Sequence, residues 1–170
     1  MSKPEALSKT GQLPDHARQS RERKRAEALA MGVDEPFVSE LVDRFYAAVR
    51  ADDLLGPIFA TAVQDWPAHL ARLKQFWRSI LHSTGEFTGN PMRTHMALGS
   101  SLDEAHFARW LNLFYETLAE MEASDAACLE VGSRARMIAD SLLTGMTLQR
   151  TGLSGARAGH ALPHPDPARR

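Results

Sequence analysis

One histidine, His95, stands in the short stretch PMRTHMAL between the breaks at Gly89 and Gly99, and apolar and aromatic residues flank it on both sides. Upstream, His69, Leu73, Phe76 and Trp77 recur at helical spacing; downstream, Phe107, Trp110 and Phe114 do the same. An iron porphyrin asks a protein for one strong axial nitrogen, apolar walls for the macrocycle and a few polar groups over the open side of the iron. The chain has a candidate for each. A lone histidine on an apolar helical face serves equally well as an ordinary core or surface residue, so residue types alone leave both readings open.

Positioning these side chains falls to helices. Asp34 can cap a helix with Pro36 in its first turn, running to about Arg50 with Phe37, Leu41, Val42, Phe45, Tyr46 and Val49 on one stripe. Tyr46 then points inward, with its hydroxyl either satisfied in the core or extended into a cavity. Gly56 and Pro57 break the period, and the turn that follows carries Phe59 inward as a candidate clamp on a flat ligand. Asp65 and Pro67 open a second helix whose stripe is His69, Leu73, Phe76 and Ile80, with Leu70, Trp77 and Leu81 beside it. His69 at the edge of that stripe can look into a pocket while Arg72 reaches an anionic group at the rim, or it makes a backbone hydrogen bond and nothing more, the plainer reading of that residue taken alone.

A loop from His82 to Thr94 leads to His95. Ser101 to Glu104 has the capping-box pattern and starts a third helix, in whose first turn His106 is the rival iron ligand and the natural capping residue. Ser124 and Asp125 open the last helix, with Leu129, Met137, Ile138, Leu142, Leu143 and Met146 expected inside. No period-two run appears, so the fold class is all-α. HExxH, paired ExxH, CxxC, Walker and GxGxxG patterns are absent, which argues against di-iron, zinc and nucleotide chemistry.

A length of 170 residues suits one domain, and a net charge of -1 with 24% charged residues gives no overall electrostatic footprint for nucleic acid. Cys128 alone excludes an intramolecular disulfide and reads as a small buried apolar residue in a reducing compartment. With no run long enough to span a bilayer and no secretory segment, the expected address is the cytoplasm, with no membrane partner. Residues 1–32 read as a charged tail without fixed structure, with five basic residues between Arg18 and Arg25, and 152–170 as a second tail rich in Gly, Pro and Ala. The domain is then 33–151.

Taken together and in this order, FYAAVRADDLLGPIF, HLARLKQFW, PMRTHMAL and HFARWLNLF resemble a truncated haemoglobin, most closely one of group III, over about Phe37 to Leu148. The lack of a double glycine favours that group. The resemblance implies a truncated globin, a two-over-two helical sandwich around haem b (iron protoporphyrin IX). It makes His95 the proximal iron ligand, Tyr46 and Trp110 distal donors, His69 a distal residue able to swing, and Phe59 the ring clamp. Leu73, Phe76 and Trp77 become haem wall, while Phe87 stands where relatives often carry tyrosine. The function so implied is binding of O2, NO and CO for O2/NO chemistry or detoxification rather than bulk transport. NO dioxygenase or peroxidase-like turnover would need an external electron donor. The competing expectation is an all-helical interaction or regulatory protein without cofactor, its basic arm meeting nucleic acid.

Overall fold

The computed structural model describes residues 12–98, 102–152 and 158–168. Among them are seven helices and no strand: α1 (Gln12–Ala30), α2 (Glu35–Ala51), α3 (Gly56–Ala62), α4 (Trp66–Leu81), α5 (Pro91–Ala97), α6 (Glu104–Glu120) and α7 (Asp125–Thr151). α2 packs on both α4 and α6, α6 packs on α7, and α5 rests on α7. Of the five long helices, α2, α4, α6 and α7 form the expected two-over-two sandwich. None of the helices described is long and apolar enough to cross a membrane.

Capping chemistry explains where most helices begin. Asp34, Asp65, Asn90 and Ser124 each accept a hydrogen bond from the backbone N–H three residues on, and Pro36, Pro67 and Pro91 occupy first turns where their missing N–H costs nothing. α6 starts later than the sequence pattern suggested. Its cap is Asp103, which accepts from the His106 backbone, and Ser101 lies outside the described residues.

The core forms where α2 meets α6, around Leu41, Phe45, Val49, Leu111, Phe114 and Leu118. Two expectations for α7 fail: Leu129 is 45% exposed and Met137 60%. The buried face is instead Ala127, Cys128, Val131, Gly132, Ala135 and Ala139, continuing into Leu142, Leu143 and Met146. Small residues let α7 lie close against its neighbours, so bulk was a poor guide to which side faces in.

Both flanks differ from the tails expected. α1 is a helix laced by Arg18–Asp15, Arg18–Glu22 and Arg23–Glu27 pairs one turn apart, spacing that supports a helix without burial. It ends in a Schellman turn: Gly32 takes a φ of 84°, the Val33 amide donates to the Ala28 carbonyl at 2.9 Å, and both Ala28 and Val33 are buried. At the other end, residues 158–168 lie on α6 and α7. Leu162 is buried, the Tyr115 hydroxyl donates to the Pro163 carbonyl at 2.9 Å, and Arg136 Nε donates to the Leu162 carbonyl at 3.3 Å. Gly132 makes room for this strap, since a Cβ there would sit 2.7 Å from Pro165. Proline needs no N–H partner, which lets such a segment dock through a single apolar anchor.

We propose that 33–151 is nevertheless the folding unit. The fragment 33–151 should keep its helical circular dichroism and a cooperative melt, with Tm lower by about 5 °C for the loss of roughly 2 kcal/mol of Leu162 burial. A melt without a cooperative transition would show that the flanks are integral.

Candidate functional site

Four of the residues singled out from sequence converge. Tyr46, on the buried stripe of α2, lies with its ring 5.8 Å from Phe59 of α3 and 6.0 Å from His69 of α4, both edge-on. The Trp110 indole of α6 acts on it from nearby and lowers its pKa, as an N–H donor does. An indole N–H can only donate, so toward it the Tyr46 oxygen is the acceptor and the phenol keeps its own proton to give. Burial raises the Tyr46 pKa well above its ordinary 10.0, and Trp110 offsets only part of that. The phenol therefore stays a neutral donor.

His69 is the complementary piece. Its Nε2 is buried without a hydrogen-bond partner. Burial first, and the Arg72 charge second, lower its pKa from 6.5, so the imidazole is neutral at neutral pH. Arg72 itself is exposed and makes no ion pair among the described residues. A buried polar atom left unpaired by the protein is uncommon and points to a partner the protein alone does not supply.

Trp66 was not anticipated. Its ring stacks on Phe59 at 6.3 Å, meets His69 edge-on at 5.6 Å, and carries the Arg50 guanidinium 4.5 Å above its centroid. Its position three residues before His69, on the same face of α4, was the available signal. Asp52 was missed as well. Its carboxylate, 7% exposed, accepts from the Leu54 and Leu55 amides at 3.1 and 3.0 Å and from Arg109 Nε at 2.7 Å. Burial alone would raise its pKa; the Leu55 and Leu54 amides and Arg109 outweigh that and hold it below 3.8. One carboxylate thus fixes the end of α2, the start of α3 and the turn of α6 beside Trp110. Gly56 completes the corner, because a Cβ there would lie 2.8 Å from the Arg50 carbonyl oxygen.

The α4 stripe is only half-buried. Leu70, Leu73, Phe76 and Ile80 touch the core without being enclosed by it, and Phe76 meets Phe87 edge-on at 5.1 Å. Trp77, expected as wall, is instead fully buried, stacked on Phe114 at 5.1 Å and edge-on to Phe76, so it backs the wall rather than lining it. On α5, Met92, Met96 and Leu98 are likewise half-buried, and no residue of that helix is fully buried. His95 makes no ring contact with the Tyr46 group. Its Nδ1 lies 2.7 Å from the Pro91 carbonyl oxygen, which accepts the Nδ1 proton. Nε2 then carries the lone pair, which makes it a metal donor. His106, the rival, is engaged by Asp103: its Nδ1 lies 2.7 Å from the carboxylate in the capping box.

A two-over-two helical sandwich with one donor-ready imidazole, half-buried apolar faces on α4 and α5, and rings gathered around a histidine whose Nε2 is buried and unpaired has the make-up of a helical protein of the globin kind. The chain belongs to the bacterial-like globin family, which matches residues 30–140. It is 33% identical over 90 residues to the group 3 truncated hemoglobin ctb of Campylobacter jejuni, covering 51% of this chain and 70% of that protein. A crystal structure of a group III truncated hemoglobin from Campylobacter jejuni superposes with a TM-score of 0.60 at 31% identity, over 65% of this chain and 88% of that one. Haem-based ligand binding comes with that family. The residues present fit the group: unfilled apolar faces for a macrocycle, a free imidazole nitrogen for its metal, and His69 Nε2 awaiting a partner.

Replacing Asp52 with Ala should destabilise the fold by about 2–4 kcal/mol at pH 7, since two amides and a guanidinium lose one acceptor. The carboxyl has a lowered folded pKa, so its contribution is complete above pH 3.8 and disappears as pH falls through that lower value. Urea unfolding at pH 7 and pH 3 checks both points; an equal difference between Asp52→Ala and the parent at the two pH values would show that the charge is not what holds the corner.

Proposed function

We propose that this chain holds haem b through Nε2 of His95 and keeps O2 and related diatomics under donors from Tyr46, Trp110 and His69, for chemistry with O2 and NO rather than bulk delivery. The single observation that carries this reading is the buried Tyr46 phenol, kept neutral by its burial and set edge-on to the His69 ring, whose Nε2 has no partner. When bound, haem supplies an iron with an open coordination position and one-electron redox chemistry.

The remaining work is done by the chain. Pro91, by accepting the Nδ1 proton, fixes the His95 tautomer and the ring orientation. Phe59, Leu73 and Phe76 would exclude water from a flat ligand, and Arg72, without an ion pair among the described residues, would meet an anionic group at its rim. Tyr46 donates to a ligand that gains negative charge, and Trp110 keeps the phenol oriented for it. His69 adds a third group that can turn toward the ligand or away. A charge-assisted donor stabilises such a ligand by roughly 1.5–3 kcal/mol, about ten-fold or more in affinity. Donors of that strength suit retention. The reaction this favours is NO dioxygenation, in which O2, NO and one electron give nitrate, or reduction of peroxide. The electron comes from a separate donor in the cytoplasm.

Two experiments test the assignment. His95→Ala should lose or greatly weaken haem, measured by the near-ultraviolet haem band after haemin titration, while His106→Ala retains it; equal retention in both would sink His95 as ligand. Tyr46→Phe should speed O2 dissociation by about ten-fold or more, one charge-assisted bond, while CO, which gains less charge on binding, responds far less. Trp110→Phe should act in the same direction and be non-additive with Tyr46→Phe, because the indole acts on the phenol. Stopped-flow dissociation on the four proteins decides; unchanged O2 rates in both single variants, or equal changes for O2 and CO, would reduce these residues to packing.

A further inference from the structure

Rings line the approach to His69 unevenly. Tyr46 is buried at 5% exposure within α2, Phe59 is held in the corner that Asp52 and Gly56 close, and Trp110 is stacked on Phe114 at 5.5 Å. Trp66 differs from all three. It is the first residue of α4, where the backbone N–H has no partner within the helix to lose when the side chain moves. Its ring stacks on Phe59, stands edge-on to His69, and has the guanidinium of Arg50 over it, an exposed side chain with no carboxylate partner among the described residues. The guanidinium thus spends its charge on the ring. The His69 ring that it meets carries the buried, unpaired Nε2.

We infer that Trp66 is a movable door over His69 Nε2 and that Arg50 is its latch, so that small ligands reach the polar pocket by displacing an indole held by a cation–π contact. The inference rests on the pocket reading above for what passes through the door, though not for the door itself. A latch of this kind is weak enough to open often: an exposed guanidinium over an indole is worth about two- to five-fold in the open-to-closed ratio. Its strength is set by a side chain on α2, outside the ring cluster, so access can be tuned without altering the donors that hold the ligand.

The test uses two readouts on the full chain. Carbethoxylation of His69 by diethyl pyrocarbonate, followed by peptide mass spectrometry on the haem-free protein, reports access to the imidazole directly. CO recombination after flash photolysis, on protein loaded with haemin and reduced, reports the passage of a ligand. Arg50→Ala, an exposed substitution that leaves the indole in place, should raise both rates by about two- to five-fold. Arg50→Lys should fall between, as a cation that still sits over the ring. Trp66→Ala should raise both further, and helical circular dichroism identifies any variant that fails to fold. Unchanged His69 modification in folded Arg50→Ala and Trp66→Ala overturns the door; faster modification with unchanged CO recombination overturns its place on the ligand route. A chain that takes up no haemin at all defeats the proposed function, and the carbethoxylation rates still decide whether Trp66 guards His69.

Discussion

A buried carboxylate at the end of α2 sets the geometry on which the rest of the pocket depends. Asp52 collects two amides from the turn into α3 and the guanidinium of Arg109 from α6. Its neighbours in sequence are the residues that matter: Tyr46 lies on the helix Asp52 ends, Phe59 on the helix it starts, and Trp110 directly follows its ion-pair partner. Keeping the Trp110 indole where it acts on the Tyr46 phenol leaves little room for the two helices to drift. Two packed helices meet that tolerance when a short, desolvated, multiply bonded contact pins them nearby. Burial of one ion costs several kcal/mol unless its lone pairs are satisfied, and three donors to one carboxylate meet that condition.

Electrostatics inside the cluster follow from the same burial. Tyr46 and His69 are shifted in opposite senses, the phenol up and the imidazole down, yet both shifts favour the neutral form. Trp110 is neutral at any pH. The cluster therefore carries polar groups without a net charge, an arrangement that suits a partly negative partner better than a free anion. Arg72 keeps its charge outside, exposed, where it depresses His69 slightly and remains free for an anionic edge.

Much of this was legible in the sequence, and the parts that were not share a cause. Caps at Asp34, Asp65 and Ser124, the first two with a proline close behind, marked three helix starts, because those signals are local. The inward stripe of α2 was readable because its apolar residues are large and evenly spaced, and only Val38 was overlooked. Periodicity failed on α7, where alanines and glycines face in and Leu129 and Met137 face out; a small residue carries little hydrophobic signal even when contact with a neighbour demands it. α1 and the 158–168 strap were read as tails because they bury one or two side chains each, and helical ion pairs or a lone anchored leucine leave little trace in composition. Asp52 and Trp66 act through partners 57 and 3 residues away in sequence, respectively, and only the second separation falls on one helix face.

α4 is rotated relative to its expected face, which leaves its apolar stripe half-exposed. A helix whose apolar stripe covers His69, Leu70, Leu73, Phe76 and Ile80 would ordinarily roll that stripe into the core, for each half-exposed leucine or phenylalanine forgoes about 1 kcal/mol of burial. Here the fully buried pair is Trp77 and Leu81, beside the stripe. Three contacts oppose the roll. Lys74 reaches Asp43 of α2 at 2.8 Å, Arg78 reaches Glu86 of the following loop at 2.8 Å, and Ser79 Oγ accepts from the Phe87 amide at 2.9 Å. Each exposed ion pair is worth little alone. Together with the Trp77–Phe114 stack they fix the helix about its axis from both flanks. α5 is held independently, its Met92 lodged against Gly145 of α7 where a Cβ would lie 2.5 Å from the methionine methyl. With α4 anchored on α2 and α5 on α7, the two half-exposed apolar faces are held on separate supports and neither can roll its stripe into the core without breaking those contacts.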